Sequence, residues 1–165
     1  YISSLPKGPL KIADSQLASR WGNILDFQEF DLLTPNEREA RFALGDQDSV
    51  VRPLALELYK KAKCKTLILK LGSRGIITYI KPSFDVRSFF TIDSFADRIV
   101  DALGSGDALL SYATLALITT KSPVIASILG SIAAGVACEH EGNIPVAHKD
   151  ILDKIHAIKK KTHFE

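Results

Sequence analysis

The chain has 165 residues, of which 46% are hydrophobic and 24% charged, the balance of an ordinary globular protein long enough to bury a sizeable core. A formal charge of +2 is too small to argue for nucleic acid or an anionic membrane surface as a partner. The longest uncharged run, Ser122 to Cys138, falls short of the ~20 apolar residues of a membrane span. It is also diluted by Ser127, Gly130, Ser131 and Gly135, so it reads as a core helix.

Alternation of strand and helix signals starts early. Leu10 to Ala13 is a short apolar run ending in Asp14, and Phe30 to Leu33 reads as a second strand, stopped by Thr34–Pro35–Asn36. Asn36, three residues before Glu39, opens a helix as its cap, and Gly45–Asp46 closes it. Asp48 or Ser49 starts another helix that runs to about Lys63. Thr66 to Leu71 is a strong strand, followed by the turn Gly72–Ser73–Arg74–Gly75 and a strand from Ile76 to Ile80. Lys81–Pro82 breaks that strand, and Val86 to Ile92 alternates as a further one.

The remainder reads as helical. One helix runs from near Gly106 to about Thr120. A second is capped by Ser122 with Pro123 at its first position and extends to Gly142. A third covers about Val146 to Lys160, and its lysines (Lys154, Lys159, Lys160, Lys161) read as a solvated face. Strands separated by helices, with a central hairpin, predict an α/β fold around a mostly parallel sheet flanked by helices, as one domain over residues 1–165. Ligands in such sheets bind beyond the carboxyl ends of the strands. Cys64 and Cys138 lack metal-ligand spacing and read as buried, reduced thiols. No signal peptide opens the chain, so a cytoplasmic protein is the default expectation. The chain starts at Tyr1 and contains no methionine, which predicts a processed, excised or partial product.

The stretch with most chemistry in it is Asp101–Ala102–Leu103–Gly104–Ser105–Gly106–Asp107–Ala108–Leu109. Glycines ahead of an apolar helix let the backbone approach a ligand closely, and the free N–H groups of the first helical turn favour an anion. A dinucleotide fingerprint needs glycine or alanine where Leu109 stands, and a Walker A loop needs GxxxxGK[ST], which occurs nowhere. Asp107 is placed to stay ionised at a helix N-terminus and to accept a proton from an attacking hydroxyl. Loop N–H groups would meanwhile hold a transferring phosphoryl group, a reaction in which positioning and charge stabilisation dominate. Simple capping of the helix by Asp107 is the alternative.

Asp-x-x-Gly-x-Gly-Asp before a small-residue helix resembles the signature of the PfkB/ribokinase carbohydrate-kinase family. Three further stretches match in the same order: Thr34–Pro35–Asn36–Glu37–Arg38–Glu39–Ala40, Leu71–Gly72–Ser73–Arg74–Gly75, and the Ala-rich helix around Gly130 to Gly135. Within the family, Lys7–Gly8–Pro9–Leu10, the Asp-Leu-Leu-Thr-Pro-Asn segment and Ala134–Gly135–Val136 are similar to the bacterial heptose-phosphate kinase branch. The resemblance implies a ribokinase-like fold, incomplete at the N-terminus, in which MgATP phosphorylates a sugar or sugar-phosphate hydroxyl. Asp107 would be the general base and Gly104, Ser105 and Gly106 the anion hole. Asn36 and Glu39 would organise Mg2+ through water, or simply form a capping box. Lys70 replaces a smaller polar residue of the family and would approach a phosphate. Gly72, Ser73 and Gly75 would contact nucleotide, unless they only make the hairpin turn. Gly130, Ser131 and Ala134 would border the adenine, unless they only pack. Asp14 is read as phosphate-side or structural.

Ala102 stands where the family usually has threonine, which leaves a monovalent cation open, and Ser105 stands for alanine. The sugar-binding half and lid of the family have no match here, so the chain alone is expected to show little or no sugar kinase activity. A nucleotide-binding module without catalysis is the alternative function, and a purely structural α/β module a third. A homodimer is left open.

Overall fold

A computed structural model describes residues 8–15, 23–81 and 88–162. Five strands form one sheet in chain order: β1 (Ile12–Ala13), β2 (Leu32–Leu33), β3 (Thr66–Lys70), β4 (Ile76–Ile80) and β5 (Phe89–Ile92). β1, β2 and β3 pair in parallel, and β4 is antiparallel to both β3 and β5, so four of the five strands point the same way. The sheet is thus mixed and mostly parallel. The tight turn at Gly72 is what permits the one reversed strand.

The chain divides into two compact units, Tyr1–Ile92 and Asp93–Glu165. In the first, α1 (Glu37–Leu44) and α2 (Val51–Ala62) accompany the sheet. Leu54, Ala55, Leu58 and Ala62 recur at helical spacing on α2 and are buried with Leu33, Leu67, Leu69, Ile77 and Tyr79 of the strands. Residues of β3 and β4 are buried almost throughout, which explains their continuous apolar run in place of strict alternation. Asn36 caps α1 as expected, and Gly45 ends it in the left-handed region at φ 66°.

Several boundaries differ from the sequence reading. β1 and β2 are shorter than Leu10–Ala13 and Phe30–Leu33, since ahead of them the Asp31 carboxylate takes the Lys11 N–H at 2.8 Å. Neither Asp48 nor Ser49 starts α2: their N–H groups bond to the Asp46 carboxylate at 3.1 and 2.9 Å, and Val50 takes the cap position. β3 ends at Lys70, because Leu71 already belongs to the turn, its N–H donating to Gly75 O at 2.8 Å. Val86, the expected start of β5, lies outside the described residues, as do Pro82 and Lys7.

The second unit holds α3 (Ser105–Thr120), α4 (Pro123–Cys138) and α5 (His148–Thr162). Ser122 caps α4 through its side chain, with Pro123 next. Gly130 faces α3 so closely that a β-carbon there would stand 2.9 Å from Leu109 O and 3.0 Å from Ala113 Cβ, so glycine sets the approach of the two helices. Ile132, Ala133, Val136 and Ile151 form the core with Phe95, Tyr112, Leu129, Ile155 and Ile158 around them.

α4 stops four residues before Gly142, since the Cys138 carbonyl turns to accept the N–H groups of Val100 (2.8 Å) and Asp101 (3.2 Å). α5 starts at His148 in place of Val146, with the Asp150 carboxylate taking the Ala147 N–H at 2.9 Å. Lys154 corrects the solvated-face reading: it is 8% exposed. Its position three residues after Ile151 and four before Ile158 puts it on the buried stripe of α5. Its ammonium bonds Glu139 (2.6 Å) and Asp97 (2.8 Å), and Lys159, Lys160 and Lys161 are exposed. Cys64 is buried, which pushes its thiol up to about 12, while Cys138 is only half-buried. Among the described residues no helix is long and apolar enough to cross a membrane.

Candidate functional site

In the first unit, the carboxyl ends of the parallel strands bring together residues far apart in sequence. Asp14 follows β1, Asn36 follows β2, and Lys70 ends β3. Asn36 makes an isolated parallel bridge with Lys70, and the Lys70 N–H donates to Pro35 O at 2.9 Å. The Lys70 ammonium pairs with the Asp14 carboxylate at 2.7 Å. Asn36 and Glu39 bond reciprocally: Glu39 N–H donates to Asn36 Oδ1 at 2.8 Å, and Asn36 N–H donates to Glu39 Oε2 at 2.7 Å.

Glu39 is 5% exposed. Burial raises its carboxyl above the usual range, and Asp14 adds to the rise; the Asn36 N–H and the Lys70 ammonium oppose it without overcoming it. The turn Gly72–Arg74 carries Gly72 at φ 62° and is closed by Gly75 at φ 79°, both conformations that favour glycine. Gly72 and Ser73 are exposed and Gly75 is buried. Asn36, Lys70 and Gly72 border one open cavity of about 470 Å³.

In the second unit, Gly104 occupies the cap position of α3 at φ 77°, with no side chain capping the helix. The Asp101 carboxylate braces the loop, accepting the N–H groups of Leu103 (3.0 Å) and Gly142 (3.2 Å). The Ser105 hydroxyl donates to Ala102 O at 2.8 Å. The Ala108 N–H donates to Gly104 O at 2.9 Å, which leaves the Gly106 and Asp107 N–H groups ahead of the first helical bond. Asp107 is exposed in this first turn. The Ser105 N–H donates to Ala102 O at 3.2 Å, so it is Gly106 and Asp107 whose N–H groups stand at the mouth of α3, beside the exposed Asp107 carboxylate. Gly130 and Ser131 are buried on α4, and Ala134 is half-buried.

Sequence reasoning missed the bracing role of Asp101 and the partner of Gly104. A β-carbon on Gly104 would collide with the Asn143 side chain. Asn143 lies in an otherwise featureless stretch, and only the left-handed glycine hints that something packs there.

Residues 12–150 match the model of the pfkB family carbohydrate kinases. The chain belongs to that family. It is 28% identical over 129 residues to the Bifunctional protein HldE of Helicobacter hepaticus, a match covering 76% of this chain and 26% of that protein. Among solved structures it is similar to a ribokinase from Thermotoga maritima, with a TM-score of 0.66 and 27% identity over 79% of this chain and 43% of that one. It is also similar to an Arabidopsis thaliana ribokinase complexed with ribose and ATP, with a TM-score of 0.69 and 23% identity over 87% of this chain and 46% of that one. The pfkB chain thus spans about a quarter of its curated relatives and under half of these structures. Its fold is ribokinase-like.

Proposed function

We propose that this chain is the nucleotide-binding and catalytic-base part of a carbohydrate kinase that transfers a phosphoryl group from ATP to a sugar or sugar-phosphate hydroxyl. What carries the reading is the exposed Asp107 carboxylate beside unengaged backbone N–H groups, in a chain belonging to a carbohydrate-kinase family.

Asp107 takes the proton of the acceptor hydroxyl as that oxygen bonds to the γ-phosphorus. The bond from the γ-phosphorus to the bridging oxygen breaks, and ADP leaves. With the Ser105 N–H taken by Ala102 O, the Gly104 and Gly106 N–H groups and the α3 dipole stabilise charge on the transferring group, where fixed donors act without reorganising. A weak base suffices, because the transition state is loose and little proton transfer is needed early. Asp101, by bracing Leu103 and Gly142, holds the loop open for this use.

Magnesium fits the Asn36–Glu39 pair through water. The capping box engages Asn36 Oδ1 and one Glu39 oxygen, leaving one carboxylate oxygen, and among the described residues no group of three ligating side chains occurs. A hydrated ion held by one or two carboxylates and by substrate phosphates suits such a sparse site. When bound, the ion would supply charge neutralisation at the phosphates. Lys70, Gly72, Ser73 and Gly75 would hold nucleotide on the same side. Gly130, Ser131 and Ala134 would border the adenine, although packing against α3 already explains Gly130.

The test is ADP release from the complete reading frame containing this chain, with MgATP and a panel of hexoses, heptoses and their phosphates, heptose phosphates first. Turnover with one acceptor supports the reading. ATP binding without ADP release for any acceptor would favour a nucleotide-binding module.

A further inference from the structure

The approach to α3 has no regular structure to hold it. Residues 93–104 belong to no helix or strand, so the path that delivers Gly104 to the helix mouth is set by what its members touch. At Phe95 and Ala96 the segment lies flat on α4: a β-carbon on Gly135 would stand 2.9 Å from both the Phe95 carbonyl carbon and the Ala96 nitrogen. Val100 and Asp101 are fixed by the Cys138 carbonyl, and the Asp101 carboxylate then reaches Leu103 and Gly142. Between these anchors stands Asp97. Its N–H donates to Glu139 Oε1 at 2.6 Å, and Glu139 directly follows Cys138 at the end of α4.

Lys154 closes that frame from α5. Its ammonium donates to the same Glu139 oxygen at 2.6 Å and to Asp97 Oδ2 at 2.8 Å, and its side chain is 9% exposed. Lys161 reaches the other Asp97 oxygen at 2.7 Å, but from the surface, with its side chain 67% exposed. Packing of α5 does not require a charge at position 154, which lies between Ile151 and Ile158 on the buried stripe; an apolar side chain of similar length would serve folding as well. Without the ammonium, the two carboxylates that share it would face each other across the gap between segment and helix. One cation therefore joins the segment, four residues before Asp101, to the α4 terminus that holds Asp101.

We propose that Lys154 is a positioning residue for the α3 loop: by tying Asp97 to Glu139 it fixes the path of residues 97–104, and with it the placement of the Asp107 carboxylate and the N–H groups beside it. The catalytic consequence rests on the kinase reading; the clamp itself does not. A base and fixed donors misplaced by about 1 Å lose roughly 10²-fold in rate, so the effect falls on the chemical step more than on substrate capture.

Backbone hydrogen exchange of the full chain, wild type against Lys154→Met, reads the clamp without any turnover. The amides of Val100, Asp101, Leu103 and Gly142 should exchange about tenfold faster, while those in the middle of α4, such as Ile132 and Ala133, keep their rates. Asp97→Asn, a change at an exposed partner that leaves folding intact, should give the same selective pattern more weakly. Equal acceleration across the second unit, or none at all, overturns the proposal, since a merely structural lysine gives one of these two results. In the complete reading frame with the best acceptor, Lys154→Met should lower kcat roughly ten- to hundredfold with KM for ATP within about twofold of wild type. Lys154→Arg should recover most of that loss, and adding Glu139→Gln to Lys154→Met, which removes one of the facing charges, should recover part of it. A kcat within about twofold of wild type despite faster loop exchange overturns the positioning role. Absence of turnover in the wild-type enzyme counts against the kinase reading alone, and the exchange rates still decide the clamp.

Discussion

The side chain of Asn143 occupies the space that a β-carbon on Gly104 would need. Gly104 also sits at φ 77°, so two separate constraints select glycine at the mouth of α3. The left-handed conformation alone costs a non-glycine residue about 1–2 kcal/mol. Gly104→Ala is therefore expected to lower stability by at least that amount in urea unfolding. Adding Asn143→Ala should restore the steric part and leave the conformational part. A double mutant no better than Gly104→Ala would show that Asn143 yields freely.

Glu39 gives a pH signature. Its carboxyl is raised by burial above the usual carboxylate value, so the folded state holds this proton more tightly than the unfolded chain. Between the unfolded value near 4.5 and the higher folded value, stability falls as pH rises. Glu39→Gln keeps an oxygen for the Asn36 N–H and removes the titration. Unfolding free energy measured from pH 4 to 7 should decline less for Glu39→Gln than for wild type. Parallel curves would contradict the assignment.

The buried ammonium of Lys154 ties α5 to Glu139 and Asp97. Its bonds to these carboxylates raise Lys154 against the opposing effect of burial. That stabilisation is present below the unfolded lysine value and disappears as pH climbs through the folded one. Asp97 is held down to about 2, chiefly by its bond to Lys154 and then by Lys161, so its share is present above 3.8 and lost as pH falls toward 2. Glu139→Gln should cost about 1–2 kcal/mol, a charged hydrogen bond discounted for partial exposure and for the remaining Asp97 contact. Lys154→Met, which keeps volume and drops the charge, should abolish the alkaline loss. A loss that persists in Lys154→Met would point to another group.

Periodicity reveals the elements whose cause is local. β3 and β4 are continuous apolar runs around a glycine turn, Ser122–Pro123 marks the start of α4, and the Asn36–Glu39 pair forms a capping box, so all were legible from neighbouring residues. What was not legible depends on long-range partners. Lys154 looked like the rest of a lysine-rich tail, because a buried ammonium is recognisable only once Glu139 and Asp97 are beside it. The end of α4 at Cys138 follows from hydrogen bonds with Val100 and Asp101, nearly forty residues away. Of the candidate site, the glycine loop with Asp107 and the Asn36–Glu39 pair were readable as motifs.

Everything proposed for catalysis rests on Asp107 accepting a proton from the acceptor while the loop N–H groups hold phosphate. Asp107→Asn, in the complete reading frame containing this chain, separates chemistry from binding. ADP release with the best acceptor should fall by about 10²–10⁴-fold, while the dissociation constant for ATP stays within about twofold of wild type. Turnover within a few-fold of wild type, or ATP affinity lost in step with activity, would contradict a base at this position.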